Sequence, residues 1–229
     1  MMTFNEMLQA IEDADSAVKL ADVIKLLAES KNLESIPHLI RSLGYNNPGA
    51  AVAAVDGLIA LGEPSVLPLL ELLDGYNYSA RAWALRALSG IGDPRSLSLL
   101  LDTAQNDFAL SVRRAAARGL GTIKWDQMAA ADVPTAQAEV LQVLLAICRD
   151  PEWVVRYSAI AGVEQLLQGL VGGDVRDGAI GILAKIAESD EDLTVRARAE
   201  LAGWRSVSLK DSIPLAPLIS RAGQLREEK

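Results

Sequence analysis

The stretch "DPEWVVRYSAI", residues 150–160, places Trp153 and Tyr157 within one helical turn of Arg156. In a chain whose aromatic content is only 4%, that grouping asks for a chemical reason. A guanidinium pairs with carboxylates through a planar fork and also stacks on aromatic faces. Arginine beside flat rings therefore suits a ligand that carries carboxylates on a planar conjugated body. The same combination makes hot spots at protein–protein interfaces. Similar neighbours recur upstream: Trp83 and Arg86 in "YSARAWALRALSGIG", Arg114 and Arg118 in "LSVRRAAARGLGTI".

Other reactive chemistry is scarce. His38 is the single histidine, so no histidine-based metal cluster can form, and "IPHLIRSL" places it at a helix boundary face. Cys148 is the single cysteine, which excludes an internal disulfide and points to a reducing compartment. Its Leu-rich setting, "LLAICRD", predicts a buried, inert thiol; a covalent carrier would need exposure and a depressed pKa. "SGIGDPR" and "GLVGGDVRDG" follow no strand and lack a GK[ST] ending, so they read as helix terminators. Asp190, Glu191 and Asp192 stand where a helix begins and complement its dipole. No metal site and no catalytic residue emerge from these patterns; they describe a binding scaffold.

The elements that carry these residues come from a fivefold repeat. First helices read "ESIPHLIRSL", "PSVLPLLELL", "RSLSLLLDTA", "AEVLQVLLAI" and "GAIGILAKIA"; second helices open with small residues and arginine. In register, Ala51, Arg81, Arg113, Arg156 and Arg196 share one position, and Ala54, Ala84, Ala116, Ala159 and Ala199 another, three residues later. A small residue there lets neighbouring helices approach closely. Gly62 and Gly92, followed by Glu-Pro and Asp-Pro, separate the early repeats, since glycine ends a helix and proline opens the next. The spacing is about 30 to 32 residues early and about 40 later.

The expected fold is an all-α solenoid of about five HEAT-like hairpins with an N-terminal capping helix pair. A single repeat domain fills 1–229: a cap at 1–31, repeats over 32–204 with an insertion near 124–137, and a C-terminal cap or tail at 205–229. Half of the 229 residues are hydrophobic, and the formal net charge is −8. That balance opposes nucleic acid and anionic lipid and favours a protein or small-ligand partner. The N-terminus lacks the pattern of a signal peptide, and no run reaches the roughly 18 apolar residues of a membrane span. A cytoplasmic protein is expected.

The tryptophans and tyrosines avoid the first helices. Tyr76, Tyr78, Trp83, Trp153, Tyr157 and Trp204 occupy second helices or their opening turns, Trp125 follows one and Tyr45 precedes one. In α-solenoids the second helices usually line the concave binding face. The register arginines Arg81, Arg113, Arg156 and Arg196 read as architecture, bonded to carbonyls or to acids such as Asp150 and Asp192. Trp83, Arg86, Arg114, Arg118 and Tyr157 vary between repeats; packing and a specific site both remain open for them. Trp153 is likewise not required by the repeat.

"YSARAWALRALSGIGDPRSLSLLL", "LSVRRAAARGLGTIKW" and "AICRDPEWVVRYSAIAGVEQLL" resemble the HEAT-like repeats of the phycobilisome lyases, over roughly residues 33 to 205. Within that family the resemblance is to the smaller subunit of a heterodimer. It implies a homologous alpha subunit as partner, and a phycocyanin alpha chain to which the pair attaches, or from which it removes, phycocyanobilin. Phycocyanobilin, an open-chain tetrapyrrole, is then the substrate, with no permanently bound cofactor. Trp83, Arg86, Arg114, Arg118, Trp153 and Tyr157 become the candidate bilin contacts. The first-helix side or the chain ends would hold the partner. Family members also include isomerases, bilin-handling proteins and turnover factors. A non-enzymatic adaptor for phycobilisome assembly or degradation is the alternative.

Overall fold

A computed structural model describes residues 2–73, 78–170 and 173–211. Among these residues there are twelve α-helices and no strand. The first two are α1 (Phe4–Glu12) and α2 (Ala17–Glu29). Five hairpins follow: α3 (Ile36–Ser42) with α4 (Pro48–Leu61), α5 (Val66–Leu73) with α6 (Tyr78–Ile91), and α7 (Leu97–Asn106) with α8 (Leu110–Leu120). The last two are α9 (Val133–Ile147) with α10 (Trp153–Gly169), and α11 (Gly173–Ser189) with α12 (Leu193–Asp211). The chain is the all-α solenoid that the repeat pattern predicts. Tyr76, the side chain of Tyr78 and residues 212–229 lie outside the described residues.

Local chemistry sets the helix ends. Thr3 and Glu6 form a capping box, with the Glu6 carboxylate accepting from the Thr3 N–H at 2.7 Å. Ser16 and Asn47 cap α2 and α4 with their side chains. Gly62 and Gly92 follow α4 and α6 at φ +71°, the left-handed region that disfavours a Cβ. At Gly92 a Cβ would also stand 2.3 Å from the Thr122 carbonyl oxygen. Short 3-10 turns, Glu63–Ser65 and Pro94–Ser96, then lead into the next first helix.

Packing reproduces the sequence register. Leu39, Leu69, Leu100, Leu144 and Leu183 of the first helices are fully buried, as are Ala54, Ala84, Ala116, Ala159 and Ala199 of the second. A further small position lies one turn on, at Gly57, Ala87, Gly119, Gly162 and Ala202. A Cβ on Gly162 would come within 2.6 Å of the Ala117 carbonyl oxygen, a backbone atom that a side-chain rotation cannot move away. Successive second helices, from α2 through α12, consequently pack directly on one another, whereas successive first helices touch sparingly. In α-solenoids the second helices usually line the concave side, and the closer packing of this layer is in keeping with that.

Three of the register arginines, Arg81, Arg113 and Arg156, join the repeats into a ladder. Arg81 binds Asp107 at 2.6 Å. Arg113 grips Asp150 through two bonds of 2.9 and 3.1 Å, and Arg156 grips Asp190 through two of 2.9 and 2.8 Å. The same guanidiniums donate back to their own loops, Arg113 to the Asp107 and Phe108 carbonyls and Arg156 to those of Asp150 and Pro151. Each acid also accepts from a backbone N–H two residues on: Ala109, Glu152 and Asp192. Asp150 is one of the rungs as expected, but Asp192 is not; the acid of the third rung is Asp190. Asp192 instead accepts from the Thr194 and Val195 N–H groups as α12 begins. Asp150 and Pro151 stand in the turn before α10 rather than inside it.

Burial pushes the Asp190 carboxyl up, but the Arg156 bonds, the Asp192 N–H and the Arg156 and Arg196 charges together outweigh it and leave the group below its ordinary 3.8. Its stabilisation is therefore complete above that value and is lost as pH falls through the lower folded-state pKa. Removing Arg156, which is 5% exposed, strands a buried carboxylate. Arg156→Ala and Arg113→Ala should each cost about 3 to 5 kcal/mol in denaturant unfolding, and Arg156→Ala should also flatten the acid limb of stability. Arg118→Ala should stay within about 0.5 kcal/mol of the unaltered chain.

Candidate functional site

Residues four apart on a helix share a face. Three such positions per second helix, beginning three residues before the register residue, form one stripe. It carries Ala82 and Arg86 on α6, Leu110, Arg114 and Arg118 on α8, Trp153, Tyr157 and Ala161 on α10, and Leu193, Ala197 and Leu201 on α12. The structure thus brings Arg86, Arg114, Arg118, Trp153 and Tyr157 onto one face of three adjacent helices. Trp83 lies one position off the stripe, half-buried, with the Arg86 guanidinium 5.6 Å from its ring centroid. Arg114 and Arg118 are exposed, and among the described residues neither has an ion-pair partner. Their charge is free to meet an anion. Ala82, Ala161 and Ala197 are the small residues among the bulky ones of this face.

The face changes character along the solenoid. Arg86, Arg114 and Arg118 make its middle cationic, while Trp153, Tyr157, Leu193 and Leu201 make the α10–α12 end aromatic and apolar. Trp153 is 44% exposed, Leu110 42% and Leu193 71%, so this row is not core. The Tyr157 ring carries the Arg198 guanidinium 5.7 Å from its centroid. Arg198 in turn bonds Glu164, a carboxylate only 2% exposed, which also receives Arg205 at 3.2 Å. Sequence reasoning passed over Glu164, Leu110 and Leu193. The available signal was positional: other second helices place Ile59, Ser89, Gly121 and Trp204 where Glu164 stands.

The remaining candidates are structural. Cys148 is buried, and burial, with the nearby Asp190 charge, pushes its thiol up to about 12. It holds no thiolate at neutral pH and cannot act as a covalent carrier. His38 packs edge-on against Phe4 at 5.9 Å. No group of His, Cys, Asp and Glu among the described residues is arranged to hold a metal ion. No described helix is long and apolar enough to cross a membrane. Two concavities, one of about 250 Å³ beside α1 and α3 and one of about 610 Å³ between α9 and α11, contain none of the six candidate residues. The stripe is an open surface, and a second body is needed to enclose anything lying on it.

Comparison with known proteins gives this face a context. A model of HEAT repeats matches residues 67–164. A phycocyanin alpha phycocyanobilin lyase, CpcF, of Synechocystis sp. is 54% identical over 160 residues, which cover 70% of this chain and 75% of that protein. A phycocyanobilin lyase subunit beta of Thermosynechococcus vestitus is 44% identical over 196 residues, covering 85% and 92%. The chain belongs to the phycocyanobilin lyase beta-subunit family. A solved complex of CpcE and CpcF of phycocyanin lyase from Nostoc sp. contains a chain 44% identical to it, with a TM-score of 0.69 over 75% of this chain and 99% of that one. A designed armadillo repeat protein, 18% identical at a TM-score of 0.54, shares the solenoid fold.

For this phycocyanobilin lyase family member, the buried thiol gives a direct check. Alkylation of Cys148 by iodoacetamide at pH 8 should be negligible in the folded chain and rapid in denaturant, read by mass spectrometry. Above pH 9 the unfolded thiol ionises while the folded one stays protonated, so stability should fall as pH rises from 9 toward 12.

Proposed function

We propose that the chain is the beta subunit of a heterodimeric lyase that attaches phycocyanobilin to a cysteine of the phycocyanin alpha chain. A homologous alpha subunit is its partner. The observation that carries this reading is the match to lyase beta subunits along most of their length. The concave face supports it: an open-chain tetrapyrrole is a planar conjugated body bearing propionates, and the stripe offers free guanidiniums beside exposed rings.

The reaction is an addition. The acceptor cysteine, as thiolate, adds to the ethylidene group of the bilin, a C–S bond forms, and a proton is delivered to the bilin; no group leaves. The sulfur comes from the phycocyanin chain, in keeping with the buried, protonated Cys148 of this one. Arg114 and Arg118 are positioned to pair with propionates, and Trp83, Trp153 and Tyr157 to lie against the pyrrole rings. The work of such a face is orientation: holding the bilin extended so that thiolate and ethylidene meet at bonding geometry. Arg86, engaged with Trp83, stiffens the cationic edge. The partner subunit supplies the second wall that this open surface lacks. A cytoplasmic site of action is proposed, in keeping with the single reduced cysteine.

Mixing the chain with its alpha subunit, phycocyanobilin and apo-phycocyanin alpha chain should yield a covalent band that fluoresces with zinc. The pair Arg114→Ala and Arg118→Ala should lower that yield at least about tenfold with an unchanged melting transition. Absence of the band with any lyase alpha subunit, together with tight binding to phycocyanin, would favour the adaptor instead.

A further inference from the structure

Glu164 is an anomaly in α10. Apart from the ladder residue Arg156, the buried side chains of this helix are small or apolar, and this carboxylate is 2% exposed among them. It is not part of the ladder. The corresponding positions of the other repeats hold no acid, so the solenoid does not need one there. Two guanidiniums from α12 converge on it, Arg198 at one oxygen and Arg205 at 3.2 Å from the other. Three charges therefore meet where a well-packed apolar residue would stabilise the fold at least as well. One donor of Arg198, Nη1, is buried and has no acceptor among the described residues. The arrangement serves stability poorly.

What it does accomplish is placement. Arg198, nine-tenths buried and held by Glu164, stands against the Tyr157 ring at 5.7 Å from its centroid. Tyr157 stands on the stripe and is half-buried. Equivalent stripe positions carry Ala82, Arg114 and Ala197, none of which a neighbouring cation could orient in this way. A ring with a fixed guanidinium over one face keeps one tilt, whereas a free tyrosine samples several.

We propose that Arg198, fixed by Glu164, is a positioning residue that sets the tilt of Tyr157 and so the orientation in which a planar, conjugated tetrapyrrole carboxylate rests on the concave face. This rests on the function proposed above and deepens it. Glu164 fixes Arg198, Arg198 fixes Tyr157, and the ring fixes the plane of the bilin. Arg205, 55% exposed, completes the charge balance and leaves the group with one net positive charge beside Tyr157.

The test uses the chain paired with its alpha subunit, phycocyanobilin as the probe, and the induced circular dichroism of the bound bilin as the readout. Arg198→Lys keeps the charge but not the plane, and Glu164→Gln releases the clamp. Both are expected to change the sign or at least halve the induced signal and to raise KM for bilin about tenfold, more than they lower kcat. Because a single change can destabilise a buried pair, the double replacement Glu164→Leu with Arg198→Met supplies a folded variant without the clamp, and it should show the same spectral loss. Tyr157→Leu should match it and add nothing on top. If the clamp variants keep the parent spectrum and KM while Tyr157→Leu loses both, Arg198 does not position the ring and the inference fails. If the unaltered pair gives neither induced signal nor transfer, the lyase reading fails first, and this inference with it.

Discussion

Arg113 and Arg156 each do the same three things at once: they bond two carbonyls of the loop behind them and grip the aspartate that opens the next second helix. That aspartate simultaneously turns its own loop by accepting a backbone N–H. Each rung thus fixes the angle between one repeat and the next. Whatever lies on the concave face is placed by these rungs and by the glycine and alanine positions that let the second helices touch. Gly121 against the Gly162 backbone and Gly162 against the Ala117 carbonyl are two close approaches of this kind, both between α8 and α10.

The chain uses one residue type for opposite purposes, and acceptor supply separates them. The ladder arginines are surrounded by carbonyls and carboxylates and are largely buried, so their charge is consumed within the fold. Arg114 follows Arg113 directly in the chain, but points from the other side of the turn to a surface with no acid to meet it. Removing a buried, satisfied guanidinium leaves an unpaired carboxylate; removing an exposed one leaves water in its place. Stability and recognition can therefore be altered independently in this molecule.

The repeat made much of the architecture readable. Ala54, Ala84, Ala116, Ala159 and Ala199 recur at one position because every repeat solves the same packing problem, and all five are buried. Gly62 and Gly92 were readable because a left-handed residue before Glu-Pro or Asp-Pro has few other uses. Asp190 was mistaken for Asp192 because a two-residue shift in a loop leaves no periodic trace, and both acids have work to do there. The Glu164–Arg198 contact was hidden because its partners lie 34 residues apart on different helices. Leu110 and Leu193 carry no mark in the sequence that sets them apart from core leucines; the geometry puts them on an exposed row with Trp153. Periodic constraints show in a sequence, whereas single contacts between repeats do not.

The central claim is that the second-helix face, and not the first-helix layer or its concavities, receives the bilin. Hydroxyl-radical footprinting of the assembled heterodimer, with and without phycocyanobilin and read by mass spectrometry, tests it most directly. The account predicts protection of Trp83, Trp153 and Tyr157 on adding bilin, with Trp125 and Tyr45 unchanged. Protection at Tyr45 beside the α1–α3 concavity, with the three stripe rings unaffected, would contradict it.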